Sequence, residues 1–183
     1  KKIKPIEKFG MQLMSFGFLN SKNSPAIWRG PMVSRMTQQF FDDVLWDDLD
    51  ILFLDLPPGT GDIQLTLVQK IALTGVVMIT TPQQLALIDV KKGSDMFMKV
   101  NTPVLGIIEN MSYFICDKCN KRHEIFSHGG ARSESKNFGV NFLGELPLDI
   151  NLRIGSDEGK PVGVYDPKNE IANLYIEIAK KII

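Results

Sequence analysis

The sequence predicts an α/β fold: a doubly wound, mainly parallel sheet with helices on both faces. Three observations carry that expectation. Apolar runs at Ile51 to Leu56, Gly75 to Thr80 and Pro103 to Ile108 show no polar alternation, as strands buried on both faces do. Helix-length amphipathic segments follow the first two runs, the order that crossover connections between parallel strands require. Prolines fall at Pro31 and Pro82, where each suits the first turn of a helix.

In chain order, Met11 to Phe18 alternates briefly, Asn20 to Pro25 is a polar loop, and a helix is expected from about Pro31 to Val44. The strand at Ile51 to Leu56 leads through a Pro-Gly loop into a helix from Asp62 to Ile71, with Asp62 as N-cap over Ile63, Leu67 and Ile71. The strand at Gly75 to Thr80 is followed by a long helix opened by Thr81-Pro82 and reaching about Val100, with Leu85, Ile88, Val90 and Met96 among its apolar positions. After the strand at Pro103 to Ile108 comes an insertion from Tyr113 to His128. A helix from about Gly130 to Phe138, a strand from Asn141 to Leu146 and an amphipathic helix from Pro167 to Ile183 complete the chain. No repeat or low-complexity segment interrupts this order.

At 183 residues, 44% hydrophobic and 23% charged, the chain is expected to form one domain, residues 1–183, with a good core. Lys plus Arg and Asp plus Glu stand at 21 each, so no basic field points to nucleic acid or an anionic membrane. No apolar run approaches the roughly 20 residues of a spanning helix, and the first residues lack a signal peptide's apolar core. Two closely spaced cysteines argue against a disulfide-stapled secreted fold. The expected setting is cytoplasmic, or the mitochondrial matrix in a eukaryote, with neither membrane nor nucleic acid as partner.

The densest chemical signal is Ile51-Leu-Phe-Leu-Asp-Leu-Pro-Pro-Gly-Thr-Gly-Asp62. An apolar strand ends in an acid, Asp55, at the carboxyl edge where open α/β sheets bind ligands. Pro57 and Pro58 fix φ, while Gly59 and Gly61 allow turns that leave the Gly59 and Thr60 amides able to face a phosphate. That is how a nucleotide hydrolase ends its magnesium-side strand.

Six strings carry a family resemblance: Trp28-Arg-Gly-Pro-Met32, Asp55-Leu-Pro-Pro-Gly-Thr-Gly-Asp62, Thr80-Thr-Pro-Gln83, Glu109-Asn-Met-Ser112, Cys116-Asp-Lys-Cys119 and Phe126-Ser-His-Gly-Gly130. In order and at close spacing, they resemble the Mrp/ApbC group of MinD-like P-loop ATPases, the iron-sulfur cluster carrier proteins. The resemblance implies that ATP and Mg²⁺ are bound, with Asp55 as the Walker B acid of the Mg²⁺ shell. It makes the loop from Pro57 to Asp62, with Pro58 and Gly59, a switch II whose backbone senses the γ-phosphate. Asp62 then orients water or caps its helix. Asn110 matches the asparagine that reads the adenine edge, Gln83 lines the site or starts a helix, and Arg29 touches a phosphate or a carboxylate.

One family feature is missing. The chain has no Gly-rich loop ending in Lys-Ser or Lys-Thr. It looks like a family member without its first βαβ portion, and the strand at Ile51 to Leu56 is expected to lose one neighbour. These 183 residues are therefore expected to hydrolyse ATP poorly or not at all.

Cys116 and Cys119 have the spacing of a metal or cluster site, but two thiolates are half of the four ligands that zinc or a [4Fe-4S] cluster takes. A Cys₂His₂ zinc site with His123 and His128 is one alternative, though tighter than the usual gap of about 12–15 residues. A thioredoxin-like pair needs a helix start after a strand, whereas Tyr113-Phe-Ile115 and Asp117-Lys118 look like a hairpin. The resemblance completes the ligand count with a homodimer, each copy giving Cys116 and Cys119 to one bridging [4Fe-4S] cluster. It implies an ATP-dependent carrier that passes that cluster to apo iron-sulfur proteins. Two other readings stand beside it: a MinD or ParA-like positioning ATPase whose terminal helix binds membrane, and a zinc-binding interaction module.

Overall fold

The computed structural model describes residues 2–19, 30–57, 59 and 61–183. Pro58, Thr60, Trp28, Arg29 and the loop from Asn20 to Pro25 lie outside the described residues. The chain divides into two compact units, Lys1–Ala72 and Leu73–Ile183.

In the first unit, β1 (Ile6–Lys8) and β2 (Met11–Leu13) form an antiparallel hairpin. Its turn residues, Phe9 and Gly10, both take positive φ, 56° and 72°, the combination whose twist suits a two-residue hairpin. Helices α1 (Phe16–Leu19), α2 (Gly30–Asp42) and α3 (Asp62–Lys70) follow, and α2 packs on α3. The Phe16 and Phe40 rings stand 4.5 Å apart, and Trp46 donates its indole N–H to the Phe40 carbonyl at 2.8 Å. Val44 is buried and bridges to Ile3.

Two expectations fail in this unit. Residues 51–57 carry no strand pairing, and Ile51, Leu52 and Phe53 are exposed, Phe53 by 74%. A run of this composition becomes a buried parallel strand only where neighbouring strands take its N–H and C=O groups and helices cover its faces. Among the described residues no strand supplies that pairing. The second correction concerns Asp62: the N-cap of α3 is Gly61, and Asp62 is the first helical residue.

The second unit holds β3 (Val76–Thr80), α4 (Gln84–Lys99), β4 (Val104–Glu109), β5 (Phe114–Ile115), β6 (Arg122–His123), α5 (Gly130–Phe138), β7 (Asn141–Glu145), α6 (Ile150–Asp157), α7 (Val162–Tyr165) and α8 (Glu170–Ile182). β3, β4 and β7 form a parallel sheet in that order. Alternate residues divide between its faces as the strand period of two requires. Ile108, Leu143 and Val77 pack with Ile178, Leu174 and Ile182 of α8. Ile107, Met78 and Phe142 pack with Val90 of α4 and with Ala131 and Phe138 of α5. Helices thus cover both faces, as the sequence predicts.

Close approach explains two glycines. A Cβ on Gly144 would stand 2.8 Å from Ile178, and one on Gly130 would stand 2.5 Å from Leu87, so each lets a helix settle on its neighbour. Among the apolar positions of α4, Val90 is buried with Leu87 and Phe97, while Leu85 and Ile88 are exposed. The terminal helix docks on the sheet through Ala172 and Ile178. Its N-cap, Asn169, accepts from the Ile171 amide at 2.9 Å. Among the described residues no helix is long and apolar enough to cross a membrane.

Candidate functional site

The carboxyl ends of β3 and β4 gather the candidates of the second unit. Thr80 pairs with Glu109 in the parallel register, and the Asn110 amide donates to the Thr80 carbonyl at 2.7 Å. This binds the chain leading to Gln83 to the chain leaving β4, at the sheet edge where α/β proteins bind ligands. Gln83 is the N-cap residue of α4 but makes no side-chain cap bond, and its Oε1 is buried with no hydrogen-bond partner among the described residues. An orphaned acceptor of this kind is costly unless something donates to it. The Asn110 side-chain carbonyl accepts from the Met111 amide at 2.9 Å, the local bond of a turn asparagine, with Met111 at φ 53°. Its N–H₂ group is the part left to meet a ligand.

Beyond Asn110 the chain is pinned to the strand beside it. The Ser112 amide donates to the Leu146 carbonyl at 2.9 Å, and the Leu148 amide to the Tyr113 carbonyl at 2.7 Å. Then β5 and β6 pair antiparallel, with Phe114 opposite His123 and Ile115 opposite Arg122. The cysteines sit on the turn between them, as the hairpin reading expects. Two bonds close that turn, Asn120 N–H to Cys116 O at 2.8 Å and Cys116 N–H to Lys121 O at 3.0 Å, with Asn120 at φ 55°. Cys116 is half-buried and Cys119 exposed, and both thiols are free. The Lys118 amide, then the Cys119 amide and the Cys119 thiol, hydrogen-bond the Cys116 sulfur and hold its pKa below the usual thiol value. The same N–H groups favour a thiolate, the form that binds metal.

The histidines stand apart from this pair. Among the described residues no group of three metal-ligating side chains includes a cysteine, so the Cys₂His₂ arrangement is not assembled. His128 instead joins Glu109 and Glu145, its Nδ1 lying 3.9 and 3.8 Å from their oxygens. Arg122 enters the same group, donating to Glu145 at 3.2 Å and lying 3.9 Å over the Tyr113 ring. Burial, followed by the charge of Glu145, raises the Tyr113 phenol pKa.

In the first unit, Asp55 is exposed within the unpaired run, and Gly59 takes φ 98°, a conformation glycine adopts freely. Pro58 lies outside the described residues, as does the Asp62 side chain. A residue the sequence reading missed, Gln64, is 3% exposed and donates its amide to the Pro57 carbonyl at 2.7 Å, fastening the loop to α3. Sequence reasoning also missed Ser112, Arg122 and Glu145 as partners. The signal available was Glu109, an acid closing an otherwise apolar strand.

A sequence model of the family described as ParA: NUBPL iron-transfer P-loop NTPase matches residues 1–183. The chain belongs to this family. An iron-sulfur cluster carrier protein of Pseudomonas fragi, a relative of this NUBPL-type chain, is 49% identical over 175 residues, covering 96% of the chain and 61% of that protein. A nucleotide-binding protein from Archaeoglobus fulgidus, solved in complex with ADP, superposes with a TM-score of 0.75 at 33% identity, covering 93% of the chain and 65% of that structure. The cell division ATPase MinD of Pyrococcus furiosus shares the fold at a TM-score of 0.58 and 20% identity, over 82% of the chain and 56% of that structure. The chain spans about half to two-thirds of the length of the relatives it matches. Family and α/β fold agree with the resemblance read from the six strings.

Proposed function

We propose that this NUBPL-family chain carries the cluster-handling part of an ATP-dependent iron-sulfur carrier. Its Cys116 and Cys119 take a [4Fe-4S] cluster as cargo, shared with the same pair of a second copy, and pass it to apo iron-sulfur proteins. The observation that carries the reading is the hairpin: two free thiols on one tight turn, one of them half-buried with its thiolate favoured by hydrogen bonds, beside the ligand edge of a parallel sheet. Two thiolates are half of the donor set a cluster takes, and a two-fold assembly doubles them. The carrier and transfer names of relatives at 49% and 46% identity support the same cargo.

Nucleotide fits the same sheet edge. The ADP complex of the Archaeoglobus relative supports Asn110 as an adenine-side group, with its N–H₂ left to bond a base, and Gln83 as a residue lining the site. Asp55 supplies a carboxylate for Mg²⁺, which takes one or two such ligands plus phosphate oxygens. Bound Mg²⁺ would supply charge neutralisation at the β and γ phosphates. Pro58, Gly59 and Asp62 act as the γ-phosphate sensor, Asp62 orienting water, and the two units serve one NTPase domain. The relatives' bacterial and mitochondrial names support a cytoplasmic or mitochondrial-matrix setting.

Anaerobic reconstitution with iron and sulfide tests the cargo. Wild-type protein is expected to gain visible absorption and to shift toward dimer, and Cys119→Ser to do neither; equal absorption in the variant refutes ligation by this pair. Zinc without iron after anaerobic purification would favour an interaction module instead. A phosphate-release assay on the 183 residues should show no Mg²⁺-dependent turnover, and measurable turnover overturns that expectation. Docking of α8 through Ala172 and Ile178 leaves the membrane-helix alternative with no supporting observation.

A further inference from the structure

Both feet of the cysteine hairpin rest on one buried carboxylate. Glu109 is fully buried at the end of β4. Its Oε1 accepts from the Ser112 hydroxyl at 2.7 Å and from the Gly129 amide at 3.2 Å, and its Oε2 accepts from the Ala131 amide at 2.8 Å. Ser112 lies on the way into the hairpin, and Gly129 to Ala131 lie where the chain leaves it and begins α5. The carboxylate is thus held at a helix N-terminus by three donors, which offsets the cost of burying its charge.

Little else fixes the hairpin. Its strands are two residues each, residues 117–125 are exposed throughout, and a two-stranded ribbon of that size is marginal alone. Outside the feet, Arg122, with its side chain 38% exposed, braces its outer leg by bonding Glu145 and lying on Tyr113. The backbone bonds at Ser112 and Tyr113 hold the entry leg only. The β5–β6 pairing, the Arg122–Tyr113 stacking and a 3.4 Å contact between the Ser112 hydroxyl and His128 Nδ1 also link the two legs, and Glu109 is the fully buried carboxylate that joins their feet.

We propose that Glu109 is a positioning residue for Cys116 and Cys119. By clasping both legs, it sets the angle at which the hairpin leaves the sheet and hence where one copy's thiolates stand for another's. Its neighbour in sequence is Asn110, so the turn that meets nucleotide and the clasp that aims the cysteines are adjacent residues of one strand end. This rests on the cargo reading above, but the clasp itself has a readout that does not.

Glu109→Gln keeps the shape of the side chain and turns one acceptor into a donor, so one of the three N–H or O–H groups is left facing an N–H. Ser112→Ala removes a single arm and leaves the carboxylate in place. A nitroxide label on Cys119, in a Cys116→Ser background, reports the order of the turn by its spectral line shape. We expect faster label motion in both variants, larger for Glu109→Gln, with circular dichroism unchanged. In unlabelled protein with both cysteines, Glu109→Gln should lose its reconstituted cluster to a chelator about 10-fold faster than wild type, the usual scale for a residue that orients metal ligands. Wild-type line shape and wild-type cluster retention in a folded Glu109→Gln overturn the clasp. Should Glu109→Gln fail to fold, Ser112→Ala decides on the same two readouts. If wild-type protein takes up no cluster, the cargo reading falls and the label alone decides the clasp.

Discussion

Ile51 to Leu56 and Val76 to Thr80 are similar stretches of sequence with opposite fates. Both are apolar runs that end in a polar residue and a proline-containing turn, and both precede a helix. Val76 to Thr80 is a strand because Val104 to Glu109 pairs with it in parallel register and α4 packs against it. Ile51 to Leu56 has no ladder, and its Phe53 ring is exposed. Composition therefore states what a segment tolerates, while hydrogen-bonding neighbours decide whether it becomes a strand.

Hydrogen exchange should show the widest gap between these two runs. Amides of β4, bonded on both sides within the sheet, open only with the whole unit and should exchange at least about 10³-fold slower than free peptide, the scale set by ordinary domain stability. Amides of residues 51–56 should exchange near the free rate. Strong protection there would mean that the run pairs in solution, and the contrast would dissolve.

The same contrast shows how far the sequence was legible. The alternation of strand and helix across 75–146 was readable because each strand finds its partners within those residues, so local pattern and global pairing agree. The helix from about Gly130 to Phe138 was readable, and it is bounded by glycines at positive φ, Gly129 and Gly139. Helical period marks Leu85 and Ile88 as apolar without saying what covers them, and both are exposed. The cysteine turn was visible from spacing and charged tip residues. Its foundation was not, since Ser112, Arg122 and Glu145 meet Glu109 and His128 only through folding, and no sequence interval encodes that meeting. The helices α6 and α7 were missed because they are short and carry no buried residues to create a pattern.

Truncation of the sheet core comes next in size. Leu143 of β7 is fully buried against α8, so Leu143→Ala should cost about 3 kcal/mol from lost transfer energy and a residual cavity. Urea unfolding followed by far-ultraviolet circular dichroism measures it. A cost below about 1 kcal/mol would mean that the α8 face packs loosely.

Removing the α8 cap is a smaller test of the same face. Asn169→Ala leaves the Ile171 amide without its side-chain acceptor and should cost about 1 kcal/mol. A loss approaching that of Leu143→Ala would mean that α8 is held more by its first turn than by Ala172 and Ile178.

The smallest effect belongs to Phe53, and it bears most directly on the comparison. Both tryptophans, Trp28 and Trp46, fall within the sequence span of the first unit and all three tyrosines, Tyr113, Tyr165 and Tyr175, within that of the second, so tryptophan emission reports on the first. Replacing an exposed apolar ring with a small polar side chain removes little buried surface. Phe53→Ser should therefore leave the tryptophan-detected urea midpoint within the roughly 0.5 kcal/mol typical of surface substitutions. It should also reduce self-association at high concentration, because an exposed apolar run with unpaired backbone groups is a template for pairing with another chain. A loss of 2 kcal/mol or more, on the scale of core truncation, would show that Phe53 is covered in solution, and the two runs would then differ in their partners rather than in having one.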